Sequence, residues 1–314
     1  MQFHIVTNRL KTAVYATLVL LLGAGLSLAQ QVNISAGPAT LTTPDGSQIP
    51  MWGYSCDATQ PTGTTVTCKA LSNVSGWSPI LITVPTGTNL TIQLTNNLSF
   101  TPTGSTTPNN IPTSLVIVGQ LGGGGGLGTT STSTPSPLHD NQPTTWPIAA
   151  TGPSFTPPQQ GVRVQSFSTE VAVGTPGTLT WTAPRPGTYL LESGTHPSIQ
   201  GPMGLYGVVV VTSAPSGTTA GTAYPAAGSV PAVTYSAEIP LALSEVDPVQ
   251  NQAVTAAVNK VGFVESATYG PNFGGALASF PSLERVSFRV FWGRAYLVPF
   301  GRESCCECVY HRRH

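Results

Sequence analysis

The sequence predicts an all-β chain built as a two-sheet sandwich, and three observations predict it. Charged residues make up only 8% of the 314, against roughly 25% in ordinary soluble domains. Thr, Ser, Gly and Pro take their place. Hydrophobic residues still reach 40%, enough for a packed core and too many for a disordered chain. They come in short runs, some strictly alternating, separated by turn residues, which is the pattern of strands. The formal net charge is zero, so electrostatics makes no case for a nucleic-acid partner. The length allows two domains of ordinary size.

Residues 1–29 read as a signal peptide. Arg9 and Lys11 give a positive start, Ala13 to Leu26 is apolar, and Ser27-Leu28-Ala29 sets small residues on either side of Leu28. The mature chain is then expected to begin near Gln30, secreted or periplasmic, with no membrane contact after removal. The other reading is an uncleaved anchor, but the apolar run is short of the roughly 20 residues a spanning helix needs.

Strands follow in order. Ile49 to Tyr54 is aromatic-rich, and Ile80 to Val84 is apolar. Pro85-Thr86-Gly87-Thr88 is a turn. Leu90, Ile92 and Leu94 then alternate with Thr91, Gln93 and Thr95, the period of a half-buried strand. Cys56 and Cys68 bracket a Pro- and Gly-containing segment. In an exported chain they predict a disulfide, and a ring this short stabilises by about 3 kcal/mol. Asn33, Asn73, Asn89 and Asn97 each open an Asn-x-Ser/Thr sequon, which matters only in a eukaryotic secretory pathway.

Ile111 to Leu121 reads as another strand. Residues 122–160 read as a low-complexity loop that opens with Gly122 to Gly126 and holds His139, Asp140 and Trp146. Glycines cradle phosphate only in a strand–loop–helix setting with a nearby Lys, and neither is present. Val162 to Val173, Gly177 to Trp181, Gly187 to Leu191 and Leu205 to Val211 complete the strands. The last is aromatic and then β-branched, suited to burial on both faces. A polar loop joins the last two.

The motifs on these strands resemble the multicopper oxidases, the cupredoxin-built family that includes laccases. Gly187-Thr188-Tyr189, Gln200 and Gly204-Leu205-Tyr206-Gly207 with Val208 to Val211 match the end of that family's first domain, and Ser114 and Gly119 match an earlier strand. The resemblance implies a cupredoxin-like Greek-key β-sandwich over residues 30–213. It also implies a linker over 214–231 and the start of a second cupredoxin-like domain over 232–275. In that second part Tyr235, Glu238, Ser244, Glu245 and Asp247 match, and Pro248 to Lys260 is expected to form a short helix. The positions of the family's copper-binding histidines hold Val116, Val118, Glu192 and Gly194.

Residues 276–314 differ in character from the rest. Six arginines and the cluster Cys305, Cys306, Cys308 with His311 and His314 read either as a basic metal-binding tail or as a frame change. The spacing fits no zinc pattern, and the tail is expected to add little to the fold.

Blue copper needs two His and a Cys. The residues imply no cofactor of their own, and copper enters by resemblance alone. No catalytic, cofactor-binding or metal-binding residue is assigned. Glu192 and His196, four apart in the loop region, are open to two readings: weak metal or acid–base work, or loop capping and exposure. The expected function is an exported, non-catalytic binding or structural module. The alternative is a copper-dependent oxidoreductase whose ligands come from elsewhere, including a partner domain or subunit.

Overall fold

The computed structural model describes residues 30–72, 76–124 and 166–263, and two further strands at Phe291–Tyr296 and Glu307–Val309. The expected signal peptide, most of the glycine-rich loop with His139, Asp140 and Trp146, and most of the tail lie outside them.

Two sheets face each other. The first runs β2 (Gln48–Cys56), β1 (Gln30–Thr42), β5 (Leu90–Asn96), β9 (Gly177–Trp181). The second runs β3 (Thr67–Ala70), β4 (Ile80–Val84), β11 (Tyr206–Val211), β10 (Gly187–Glu192), β8 (Val116–Ile117). Pairing is antiparallel except for β1 with β5 and β4 with β11. The chain changes sheet between β2 and β3, β4 and β5, β5 and β8 (by way of a separate pair, β6 (Ser99–Phe100) with β7 (Asn109–Asn110)), β8 and β9, and β9 and β10, so the strands interleave in the Greek-key manner of an aligned sandwich.

The alternation of β5 does what its sequence demands. Leu90, Ile92 and Leu94 are fully buried, while the residues between them are only half-buried. They meet Ile80, Ile82 and Val84 of β4 and Val209 and Val211 of β11 in one core with Trp52 and Trp181. β11 is buried along its whole length. Its outward Val208 and Val210 pack with Leu81, under Ala242 of a third layer. The Cys56–Cys68 disulfide is present, with Cα atoms 5.7 Å apart, and joins the edge strands β2 and β3 of opposite sheets.

Four features differ from the sequence expectation. The described part of the expected strand Val162 to Val173, residues 166–173, holds only isolated bridges at Ser166 and Val171. The stretch 111–121 forms only the two-residue strand β8. Its earlier part is held by a single bridge between Thr113 and Val171 and by the buried Asn96, whose Nδ2 donates to the Ile111 and Val171 carbonyls at 2.9 and 2.8 Å. The polar loop between β10 and β11 contains a short helix, α1 (Pro197–Met203). The expected linker holds strand β12 (Gly221–Tyr224), paired with β13 (Val233–Tyr235). Ala223 and Tyr235 are buried, and the Tyr235 hydroxyl lies 2.8 Å from Thr212 Oγ1. This connection is therefore tied to the end of β11.

Beyond it, β14 (Glu238–Leu243) pairs antiparallel with β15 (Phe291–Tyr296), which pairs with β16 (Glu307–Val309). Two pieces of the atypical tail thus extend β14 as strands, and the aromatic-rich FWGRAY stretch has the propensity to do so. The expected helix is present as α2 (Pro248–Val258). Asp247 caps it by accepting from the Val249 and Gln250 amides, and Pro248 opens it.

Candidate functional site

The candidate site lies where β8 and β10 end together. Glu192, the last residue of β10, is directly opposite Val116 in the antiparallel register. Gly194 follows two residues later. A Cβ built there would stand 2.7 Å from Val116 Cγ2 and 3.2 Å from Ser114 Oγ. Three of the four positions singled out in the sequence therefore converge. Val118 does not join them: its amide donates to the Leu190 carbonyl at 2.9 Å, and its side chain is 41% exposed.

Below these residues is a buried polar network that sequence reasoning did not identify. Thr113, Ser114, Ser166, Ser168, Ser193, Thr195 and Gln200 are all buried. Gln200 projects from α1, and its Oε1 accepts from Ser193 Oγ at 2.7 Å and Thr113 Oγ1 at 2.8 Å. Its Nε2 donates to the Pro112 carbonyl at 2.8 Å. Thr195 Oγ1 lies 3.0 Å from both Ser114 Oγ and Ser166 Oγ. Ser168 Oγ donates to the Gly123 carbonyl at 2.6 Å. Buried polar groups are costly unless paired, and here they pair with one another across four chain segments.

The local chemistry explains why these segments turn where they do. Ser166 Oγ accepts the Ser168 amide, and Ser193 Oγ accepts the Thr195 amide, both at 3.2 Å. Such side-chain-to-backbone bonds replace ladder bonds and end strands. The readable signal was the close spacing of small hydroxyls, adjacent in Thr113-Ser114 and two positions apart in Ser166-x-Ser168 and Ser193-x-Thr195.

Tyr54 closes the network from the opposite sheet. Its hydroxyl donates to the Ser114 carbonyl at 2.8 Å. Burial raises its pKa strongly, and the nearby Glu192 charge adds to the rise. Glu192 is half-buried, and that burial pushes its own carboxyl above the usual range.

His196 sits at the start of α1 with φ 39° and ψ 59°. Left-handed backbone costs a non-glycine residue about 1 kcal/mol. The bend directs the His196 carbonyl to the Ile199 and Gln200 amides at 2.8 and 2.9 Å. This aims Gln200 inward. Burial lowers the His196 pKa, so the ring is neutral near neutral pH.

The start of the glycine run has a packing role. Cβ atoms at Gly122 and Gly123 would lie 2.5 and 2.3 Å from atoms of the Trp181 ring, so the backbone lies flat on that indole.

The residues that converge do not fit copper. Copper sites are built from imidazole, thiolate and thioether donors. Val116 offers methyl groups, Gly194 has no side chain and no space for one, and Glu192 supplies a single carboxylate. Among the described residues no group of three or more His, Cys, Asp or Glu could hold a metal ion.

No family model and no curated protein sequence matches the chain. Among solved structures it is similar to a multicopper oxidase from Pseudomonas thermotolerans, at 15% identity and a TM-score of 0.32, over 59% of this chain and 29% of that one. It is similar to the copper nitrite reductase from Nitrosomonas europaea at 16% identity and a TM-score of 0.30, over 58% of this chain and 40% of that one. Fet3p, described as a multicopper oxidase that functions in iron import, matches at 17% identity and a TM-score of 0.31, over 58% of this chain and 23% of its own. The chain thus spans less than half the length of these structures.

Proposed function

We propose that this chain is an exported cupredoxin-like module that binds or scaffolds and carries out no oxidation of its own. The observation that supports this reading is the filled space at the ends of β8 and β10. Imidazoles at positions 116, 192 and 194 would need room and open donors. Instead Val116 packs where a side chain on Gly194 would go. Beneath them, the hydroxyls of Thr113, Ser114, Ser193 and Thr195 are bonded to each other and to Gln200. The site is held together by its own bonds, and a hydroxyl network of this kind rigidifies a sandwich end when fully paired. The reading for export comes from residues 1–29 and from the disulfide.

Purified protein loaded with copper and then dialysed tests this. The expected result is no stoichiometric metal, no blue absorption band and no oxygen uptake with a phenolic substrate. One or more tightly held coppers per chain with turnover would overturn the reading in favour of a copper-dependent oxidoreductase.

A further inference from the structure

The four sequons are not equivalent in the fold. Asn33 lies in β1, where its Oδ1 accepts from Gln31 Nε2 at 2.9 Å and its Nδ2 donates to the Thr59 carbonyl at 3.2 Å. Asn89 accepts the Ala183 amide on Oδ1 at 3.0 Å, which holds its side chain against the neighbouring turn. Asn73 lies outside the described residues. Asn97 follows the end of β5 at the reversal into β6 (Ser99–Phe100), and its side chain is exposed. Its backbone is fixed by an amide bond to the Ala36 carbonyl at 2.8 Å and by the Ser99 amide on its own carbonyl at 2.9 Å. Its neighbour Asn96 turns inward and spends its side chain on the core. Asn97 turns outward, and among the described residues its side chain makes no hydrogen bond.

A second, independent feature adjoins Asn97. A cleft of about 470 Å³ opens on the outer surface of β1 and β2, and Asn97 lines it. Its floor is Gly37 and Gly53, which face each other in the register, with Ser35 and Ser55 also paired beside them. Trp77 borders one side with the edge of its ring only: it is 7% exposed, it lies over Gly53, where a Cβ would meet it at 2.8 Å, and its Nε1 donates to the Trp52 and Gly204 carbonyls at 3.0 and 3.2 Å. Ser35 Oγ and Ser55 Oγ also line it; they donate to Asp57 Oδ1 at 2.7 Å and to the Ser35 carbonyl at 3.5 Å, which leaves their oxygens as acceptors. A glycine floor, the exposed edge of an indole and hydroxyl oxygens free to accept match the mixed apolar and hydroxyl faces of a sugar ring.

We propose that Asn97 is an N-glycosylation site and that the first sugars of its glycan lie in this cleft. In the reaction, a C–N bond forms between Asn97 Nδ2 and the anomeric carbon of an oligosaccharide carried on a lipid diphosphate. The bond from that carbon to the diphosphate oxygen breaks, the lipid diphosphate leaves, and the Nδ2 proton passes to the transferase. Among the described residues the Asn97 side chain has no bond to give up, and the attached glycan points to solvent along this cleft. The proposal rests on the export reading, because the donor exists only in a secretory compartment.

The test is to express the full chain behind a host secretion leader in a eukaryotic cell, so that translocation does not depend on residues 1–29. Peptide mass mapping after amidase release in oxygen-18 water reads the occupancy of each sequon. The expected result is a majority of Asn97 modified, above the occupancy of Asn33, Asn73 and Asn89, with modification lost from that peptide in Asn97→Gln and in Ser99→Ala. The second variant keeps the asparagine in case the first fails to fold. Release from the native protein should run at least tenfold slower than from the denatured chain. An unmodified Asn97 in secreted protein overturns the site, and equal release rates overturn the seating in the cleft. Failure of the natural leader alone to secrete the chain would count against export and leave the Asn97 result standing.

Discussion

Glu192 carries a carboxyl that the fold holds half-buried, and that burial raises its pKa. It is the last residue of β10, opposite Val116, with a buried tyrosine close enough for their charges to oppose one another. Its raised pKa has a definite sign for stability. Below the ordinary carboxylate value of 4.5 both folded and unfolded chains hold the proton. As pH rises, the unfolded chain releases it first, so the contribution of Glu192 to stability is lost as pH rises through its folded pKa. His196 acts in the opposite sense: its lowered pKa makes stability fall as pH drops below 6.5. Glu192→Gln removes only the first effect. Thermal melts of this variant should lie above the parent at about pH 7, with the gap closing towards about pH 4. A shift of the same size at every pH would mean that shape rather than charge sets the cost. At this scale the sequence was legible where it departed from a known pattern, at Val116, Glu192 and Gly194. Of the Ser and Thr network only the close spacing of its hydroxyls was legible. Hydroxyls are common throughout this chain, and which of them are buried depends on contacts such as Thr113 to Gln200, 87 residues apart.

Among the elements, α2 shows how far local and tertiary information separate. Its existence was readable from Asp247-Pro248, a cap followed by a helix-opening proline. Its docking site was not. Val254 and Val258 are fully buried and belong to the same core as Leu98 and Ile111 of the first sandwich. Asn251 Nδ2 donates to the Pro50 carbonyl in β2 at 2.9 Å, and Asn109 Nδ2 donates to the Val258 carbonyl at 2.7 Å. The helix therefore closes the sandwich, although in sequence it follows the start of the expected second domain. Val254→Ala should destabilise the sandwich by roughly 2 kcal/mol through lost burial and the cavity left behind. Denaturant melts followed by the emission of the core residues Trp52 and Trp181 would read this. An unchanged midpoint would show that α2 is not bound to the sandwich in solution. The short β8 has a related cause. Thr113 and Ser114 were expected to extend a strand, but their hydroxyls enter the network and the backbone leaves the ladder.

For the whole molecule, the division at residues 214–231 looked like a domain boundary because Pro, Gly, Ala and Thr fill it. Composition reports local backbone preference, not which side chains reach across. In the fold this stretch carries β12 and is tied back by the Ser213 and Thr222 amides and by Tyr235. It delivers two different things to the first sandwich. One is α2, which supplies buried valines to the core. The other is the outer layer of β14, β15 and β16, whose Ala242 lies over Leu81, Val208 and Val210 while Ile239, Leu241 and Leu243 remain exposed. Two truncations separate these contributions. A chain ending at residue 275 keeps α2 and β14 and, among the described elements, loses β15 and β16. Its thermal midpoint should stay within a few degrees of the full chain, since a loss under about 1 kcal/mol moves a domain of this size by only that much. A chain ending at residue 213 loses Val254, Val258 and the bonds to Pro50 and Asn109 together. It uncovers core side chains such as Leu98, and loss of the two valines alone is expected to cost about 4 kcal/mol, comparable with the marginal stability of a whole domain. This second chain should melt far lower or be recovered only as aggregate, and scanning calorimetry of the two side by side decides it. Equal midpoints for both truncations would show that residues 30–213 are self-sufficient and that the helix rests on the sandwich without stabilising it.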